Sequence, residues 1–337
     1  MPVLALGAEL YLWESPKMAA WKRRLIGRRL SELVGVFHAK AHVFDDTVVL
    51  SGANLSRSYF EDRCDRYVVI EDARFADAVH STLQVMSRAS WKVGADAQEE
   101  APQVEPQRMK AELERLMDNE QRGSSEVEAE GAVYVSPMVQ LGVLGMRNDE
   151  RLTERLLEAA EQEGGRLDMA TGYFNLTARM KELVWRVARR LDVAVLVASP
   201  ASNAWAGSKG ASRHVPAGYA TLARRFVQGR SSDARLRLRE WDRAGWSFHA
   251  KGLWYWGPKV AATVIGSGNF GHRSHQLDLE FQAFMWSEAE LFQAKLTADS
   301  ARLEPFLRDW KPDMADQPER RLPVAWKLVL PLIQKYM

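Results

Sequence analysis

The 337-residue chain has one cysteine, Cys64, so it can form neither an intramolecular disulfide nor a zinc site built on several thiolates. It has no run of 18 or more apolar residues, which excludes a transmembrane helix read from hydropathy. It has no excess of one charge: 46 Lys and Arg stand against 44 Asp and Glu, a net +2. That balance argues against a protein held to nucleic acid by bulk charge, and no nucleic acid is expected as a partner. Nor is the chain short of apolar residues; 46% hydrophobic content is too high for a disordered protein. The opening MPVLALGAELYLWESPKMAAWKRRL lacks the layout of a secretory signal. Glu9 and Glu14 also disagree with an acid-poor transit peptide, although Lys17, Lys22, Arg23, Arg24, Arg28 and Arg29 cluster there. Residues 1–37 are therefore read as part of a domain, with any targeting segment upstream of Met1.

At about 150 residues per domain the length suggests two. In the first, residues 5–13 read as a strand, 17–34 as a basic amphipathic helix, VFHAKAHVF and TVVLSG as strands, Val68–Ile70 as a strand and Ala73–Trp91 as a helix. Residues 94–131 are polar, acidic and proline-bearing; they read as an interdomain linker in which MKAELERLMDNEQR forms a solvated helix. From 132 to 337 strands and helices alternate again. The expected elements are helix 153–163, strand 167–170, helix 178–190, strand 193–198, helix 218–227, strand 236–240, then SFHAKGLWYW and ATVIGSG. This is an α/β pattern with a sheet at the centre of each domain.

The halves share a repeat. VFHAKAHVF answers SFHAKGLWY, and each His-Ala-Lys leads through an apolar strand to a glycine turn with an asparagine, SGANLS and GSGNFG. An acid follows eleven residues after each asparagine: Asp65 after Asn54, Glu280 after Asn269. Residues two apart on a strand share a face, so His38 points with Lys40 and His249 with Lys251. An imidazole beside an ammonium, with an amide from the turn, suits an anion. The acid can hold one ring nitrogen and leave the other aimed at the ligand. Two such half-sites supply one nucleophilic and one acid/base imidazole, with Lys and Asn on the phosphoryl oxygens. His38 and His42 make no convincing metal pair, because four-residue spacing on a strand separates them.

At these residues the chain resembles the phospholipase D superfamily, whose motif is H-x-K-x4-D-x6-G-S-x-N. The first copy keeps His38, Lys40, Asp45 and Gly52, with Ala53 in place of Ser and Asn54 one position early. The second keeps His249, Lys251, Gly266, Ser267 and Asn269 but has Trp256 where the Asp would stand. Within the superfamily, VFDDTVVLSGANLSRSYFEDRCDRYV, ATGYFNLT, VLVASPASNAWAGSKGA, WDRAGWSFHAKGLW and IGSGNFGHRSHQLDLE resemble the mitochondrial CDP-diacylglycerol–glycerol-3-phosphate 3-phosphatidyltransferase family of eukaryotes. Bacterial phosphatidylserine synthases share the style of the first half.

The resemblance implies two pseudo-symmetric phospholipase D-like αβα sandwich domains. It implies transfer of a phosphatidyl group from CDP-diacylglycerol to glycerol 3-phosphate through a phosphohistidine, with serine as rival acceptor and water as acceptor in a phosphodiesterase. By analogy His38 is the nucleophile and His249 the acid/base, although the two motifs are close to symmetric. No cofactor or metal is required on this logic, because Lys40, Lys251, Asn54 and Asn269 neutralise the phosphoryl charge; a divalent cation is a candidate stimulant. Asp45 and Ser267 are assigned to substrate binding with their motifs, and Tyr173 and Asn175 from TGYFNLT. The acceptor's phosphate calls for further cations, of which Lys209, Arg213 and Arg273 are the candidates, ahead of Arg57 and Arg66. The resemblance also implies a mitochondrial, inner-membrane-associated protein. The apolar tail LPVAWKLVLPLIQKYM is either a packed end or a contact with the bilayer surface. Finally, His249 follows several strands and helices of its domain and His38 only one of each, so the first domain is expected to lack its opening strands.

Overall fold

A computed structural model describes residues 2–17, 34–94, 96, 98–123 and 131–336. The expected basic helix at 17–34 and the acidic end of the linker at 124–130 fall almost wholly outside the described residues.

The first half carries α1 (Pro2–Ala5), β1 (Leu10–Leu12), β2 (Ala41–Phe44), β3 (Thr47–Ser51), α2 (Arg57–Glu61), β4 (Arg63–Cys64), β5 (Tyr67–Glu71), α3 (Ala73–Arg88), β6 (Trp91–Val93), β7 (Glu99–Glu100) and α4 (Pro106–Gly123). The second carries β8 (Tyr134–Leu141), β9 (Met146–Arg147), α5 (Asn148–Glu163), β10 (Arg166–Thr171), α6 (Ala178–Val187), β11 (Asp192–Ala198), α7 (Val215–Gln228) and β12 (Leu236–Trp241). It continues through β13 (Ser247–Phe248), β14 (Gly252–Trp256), β15 (Ala261–Gly266), α8 (His272–Gln276), β16 (Leu279–Ser287), α9 (Glu290–Ala301), β17 (Leu307–Asp309) and α10 (Val324–Ile333).

A nine-stranded sheet, in the order β17-β12-β11-β10-β14-β15-β16-β8-β9, organises the molecule. The β10, β11 and β12 strands are parallel and the other pairs antiparallel. Strand alternation divides its side chains between two cores. Leu167, Met169, Val193, Val195 and Leu238 pack with Leu157 of α5, Leu183 of α6 and Phe226 of α7. Ala170, Ala194, Leu196 and Trp254 face the other way, toward Leu50 of β3, Val79 of α3, Leu113 of α4 and Leu296 of α9. The first half thus closes the second face of the large sheet. Its own sheet, β2-β3-β5, is antiparallel throughout.

The order β2, β3, α2, β4–β5, α3 is repeated as β14, β15, α8, β16, α9. This is the duplicated α/β architecture expected from the sequence. The described residues of the first half hold no counterpart of β10, β11 and β12.

The strand expected at 5–13 is confined to Leu10–Leu12, and two further elements differ from expectation. The helix read as solvated is α4, and it buries Met109, Leu113 and Met117, each at most 1% exposed. These residues recur every four positions and form one stripe, which the surrounding charge conceals. Strand β8 was not anticipated because Pro137 interrupts its apolar run. Pro137 pairs with Ala283 of β16, and β8 meets β9 only at Gln140 and Leu141, so the missing N–H costs no second ladder.

Candidate active site

The two histidines are reached by the same construction in each half. Phe37 forms a parallel bridge with Leu279, and Phe248 of β13 pairs in parallel with Cys64 of β4. His38 N then donates to Leu279 O at 2.8 Å, and His249 N donates to Cys64 O at 2.8 Å. The next residue on each opposing segment is the acid. Glu280 Oε2 lies 2.8 Å from His38 Nδ1, and Asp65 Oδ2 lies 2.6 Å from His249 Nδ1. Each acid therefore serves the histidine of the other half.

His38, Lys40, His249 and Lys251 are not in regular strand. The ladders resume at Ala41 and at Gly252. Gly252 has φ +121, and a Cβ there would meet Val264 O at 2.1 Å, so only glycine makes this bend. Lys40 Nζ donates to His38 O, and Lys251 Nζ donates to His249 O at 2.6 Å. Lys251 is completely buried, 3.6 Å from Asp65 Oδ2. Gly52 gives it room: a Cβ at residue 52 would meet Lys251 Nζ at 2.5 Å and Asp65 Oδ1 at 2.8 Å.

Burial, with Glu280 opposing it, brings the Lys40 ammonium down to about 8. Burial also lowers Lys251. Burial and then the Lys251 charge push His249 down to about 3, and a charge on His38 adds to that depression. His249 is thus neutral near pH 7, and with Asp65 ionised its Nδ1 carries the hydrogen. Burial would raise Asp65, but Lys251, the His249 hydrogen bond and the Arg66 N–H hold it below the usual carboxylate range. Glu280 is held at about 2 by His38, Lys40 and Ser267 against the same upward push of burial.

The remaining sequence candidates divide. Asn54 Nδ2 lies 3.4 Å from Tyr59 Oη at the His249 side. Asn269 is buried, its Oδ1 accepting from Thr171 Oγ1 at 3.2 Å. Tyr173 stands edge-on to the His249 ring, centroids 5.6 Å apart. Ser267 Oγ donates to Phe281 O at 3.2 Å and accepts from Phe281 N at 3.1 Å, one residue beyond Glu280, so it steadies the acid instead of facing a ligand. Asn175 is buried with Nδ2 on Gln334 O at 2.6 Å and ties down the C-terminal segment. Arg273 is paired with Asp278 at 3.0 Å. Lys209 and Arg213 are exposed, with Arg213 Nε 3.1 Å from His214 Nε2. Asp45 lies outside the site. It occupies, at φ +49, the two-residue turn joining β2 to β3, at the end of β2 remote from His38.

Three neighbours of the site escaped the sequence reading. Tyr59 Oη is 3.3 Å from His249 Nε2. Ser51 Oγ donates to Arg66 O at 2.8 Å, one residue beyond Asp65, and so repeats the role of Ser267. The hydroxyl sought at Ala53 is present two residues earlier, three before Asn54 where Ser267 stands two before Asn269, so spacing alone conceals the equivalence. Arg63, two residues before Asp65, stacks on the Tyr59 ring with Cζ 4.3 Å from its centroid. Among the described residues no group of three or more His, Cys, Asp or Glu could hold a metal ion.

No protein-family model matches the chain. It is 34% identical over 367 residues to the human CDP-diacylglycerol–glycerol-3-phosphate 3-phosphatidyltransferase, mitochondrial, a match covering 96% of this chain and 65% of that protein. It is 30% identical over 372 residues to the Saccharomyces cerevisiae CDP-diacylglycerol–glycerol-3-phosphate 3-phosphatidyltransferase, covering 96% and 70%. The chain spans 65 to 66% of the length of the human and hamster proteins. Its fold matches the crystal structure of phosphatidylserine synthase from Haemophilus influenzae Rd KW20 with a TM-score of 0.69 at 20% identity, over 91% of this chain and 72% of that one.

Proposed function

The chain belongs to the family of CDP-diacylglycerol–glycerol-3-phosphate 3-phosphatidyltransferases, and we propose that it performs the transfer for which its relatives are named. The observation that carries this reading is the pair of imidazoles, each held at Nδ1 by a buried acid of the opposite half, with two buried lysines alongside.

In the first step His38 Nε2 attacks the β-phosphorus of CDP-diacylglycerol. A P–N bond forms, the bond to the bridging oxygen breaks, and CMP leaves. In the second, the C1 hydroxyl of glycerol 3-phosphate attacks the phosphatidyl-histidine, the P–N bond breaks, and the hydroxyl proton passes to His249 Nε2, with the Tyr59 hydroxyl 3.3 Å from it. The products are phosphatidylglycerophosphate and CMP. His38 is the better placed nucleophile: its Nδ1 is engaged by Glu280 and its side chain is 23% exposed, whereas that of His249 is 3% exposed and Tyr59 stands at its Nε2. Glu280 and Asp65 fix the tautomers and stabilise imidazolium as it forms. Lys40, Lys251, Asn54 and Asn269 balance the phosphoryl charge. No metal takes part in a step, and a divalent ion on the diphosphate is a stimulant.

A diacyl substrate requires a bilayer surface, and α10 suits one. Val324, Leu328 and Leu332 recur every four residues and are 73%, 74% and 70% exposed, with Lys327 and Lys335 beside them. No helix among the described residues is long and apolar enough to cross a membrane. Gln334 O, just past α10, accepts from Asn175 Nδ2, and Asn175 is two residues from Tyr173 at the His249 ring, so the end of α10 is anchored to the segment that carries Tyr173. Relatives named as mitochondrial support a mitochondrial location, and the exposed apolar face of α10 supports peripheral association with the inner membrane as part of this proposal.

The test is incubation with CDP-diacylglycerol and labelled glycerol 3-phosphate or labelled serine. Phosphatidylglycerophosphate with stoichiometric CMP is expected. Predominant phosphatidylserine, or phosphatidic acid alone, overturns the assignment.

A further inference from the structure

From asparagine to acid the half-sites keep the same spacing, so the positions there at which they differ are those that can distinguish the two sides of a bound substrate. Two residues before Asp65 stands Arg63; two residues before Glu280 stands Asp278. In extended backbone each shares a face with its acid. Asp278 is already satisfied by the protein: Arg273 Nε and Nη2, from its own half, donate to it at 3.1 and 3.0 Å, and Val36 N, from the other half, donates at 3.0 Å.

Arg63 has no such arrangement. Among the described residues the ion pairs engage Arg57 with Glu61, Arg66 with Asp299 and Arg273 with Asp278, and leave Arg63 out. Its Nε is buried without a hydrogen-bond partner. Its guanidinium lies on the face of Tyr59, whose hydroxyl is 3.3 Å from His249 Nε2. Its charge acts on Tyr59, Tyr173 and Lys251, which surround His249. A guanidinium partly withdrawn from water, oriented by an aromatic ring and given no carboxylate, is prepared for an oxyanion that arrives with the ligand.

We propose that Arg63 binds a phosphate of the substrates other than the one attacked by histidine. This rests on the phosphatidyltransferase reading, under which two such groups visit the pocket: the phosphomonoester of the acceptor and the nucleotide phosphate of the donor. Both offer the oxygens a guanidinium recognises.

The experiment is steady-state kinetics of Arg63→Ala and Arg63→Lys, with each substrate varied in turn. It is paired with calorimetric binding of glycerol 3-phosphate and of CMP to the same proteins. Arg63→Ala is expected to raise one KM about tenfold or more, a larger effect than that on kcat, and Arg63→Lys to recover part of it. A rise for glycerol 3-phosphate assigns the acceptor; a rise for CDP-diacylglycerol with weakened CMP binding assigns the donor. Unchanged KM for both substrates, or a loss of kcat alone, overturns the proposal. Should the wild-type protein transfer no phosphatidyl group, the functional reading fails by itself. Arg63 is then judged by binding, and equal affinity of wild type and Arg63→Ala for both ligands overturns its role.

Discussion

Asp65 accepts a hydrogen bond from His249 across the boundary between the two halves, Oδ2 to Nδ1 at 2.6 Å, and Glu280 returns the arrangement to His38 at 2.8 Å. Each half supplies an imidazole whose Nδ1 is held by the acid of the other. Asp65→Asn and Glu280→Gln keep the shape but lose the charge that fixes the tautomer. Each is expected to lower kcat for CMP release by about 10²–10⁴. Loss of less than tenfold in both would remove the acids from the mechanism.

The depressed His249 makes a prediction about pH. Its folded pKa of about 3 lies below the unfolded value near 6.5, so the unfolded state binds the proton first. Stability is therefore lost as pH falls below the unfolded pKa. Glu280, held at about 2, adds its own loss only as pH drops below the ordinary carboxylate value of 4.5. Between pH 6.5 and 4.5 the histidine contribution is about 2 kcal/mol. Denaturant unfolding of His249→Gln should show a flatter pH dependence across that window. An equally steep one would mean that His249 is not held neutral.

Leu113 tests whether α4 belongs to the core. It is fully buried, so Leu113→Ala is expected to cost about 2–5 kcal/mol, read from the shift of the urea midpoint. A solvated helix in a linker would lose a few tenths of a kcal/mol.

The α10 face is tested by co-sedimentation with phosphatidylcholine vesicles containing about a third phosphatidylglycerol. Leu328→Glu with Leu332→Glu should abolish binding and leave turnover of detergent-dispersed substrate within about threefold, since neither side chain is part of the site. If the double variant instead converts a dimer to a monomer and wild type ignores vesicles, the face covers a second copy of the chain.

Much of this was legible from residues that carry chemistry at fixed spacing. His38, Lys40, His249 and Lys251, and both acids eleven residues past the asparagines, assemble as the repeat implied. The crossing of the acids was not legible, because periodicity reports which face a side chain takes and says nothing of which distant segment lies opposite. Asp45 misled for a related reason: the motif supplies a position, but a hairpin turn removes that position from the pocket. Tyr59 and Arg63 were hidden because an aromatic and an arginine on a polar stretch look like surface until α2 and β4 fold against β13. Asn175 and Arg273 have side chains suited to a ligand, but the fold engages them with Gln334 and Asp278.

The separation of each histidine from its acid along the chain, 242 residues for His38 and 184 for His249, also sets when the protein can become reactive. His38 is synthesised early and its acid near the end. At about 5–20 residues per second a ribosome takes on the order of tens of seconds to bridge that gap. Throughout that interval the nascent chain holds a motif-bearing half with no means of orienting its imidazole. Competence therefore arrives only when β16 is threaded beside the first half, which makes the finished fold its own proof-reading step.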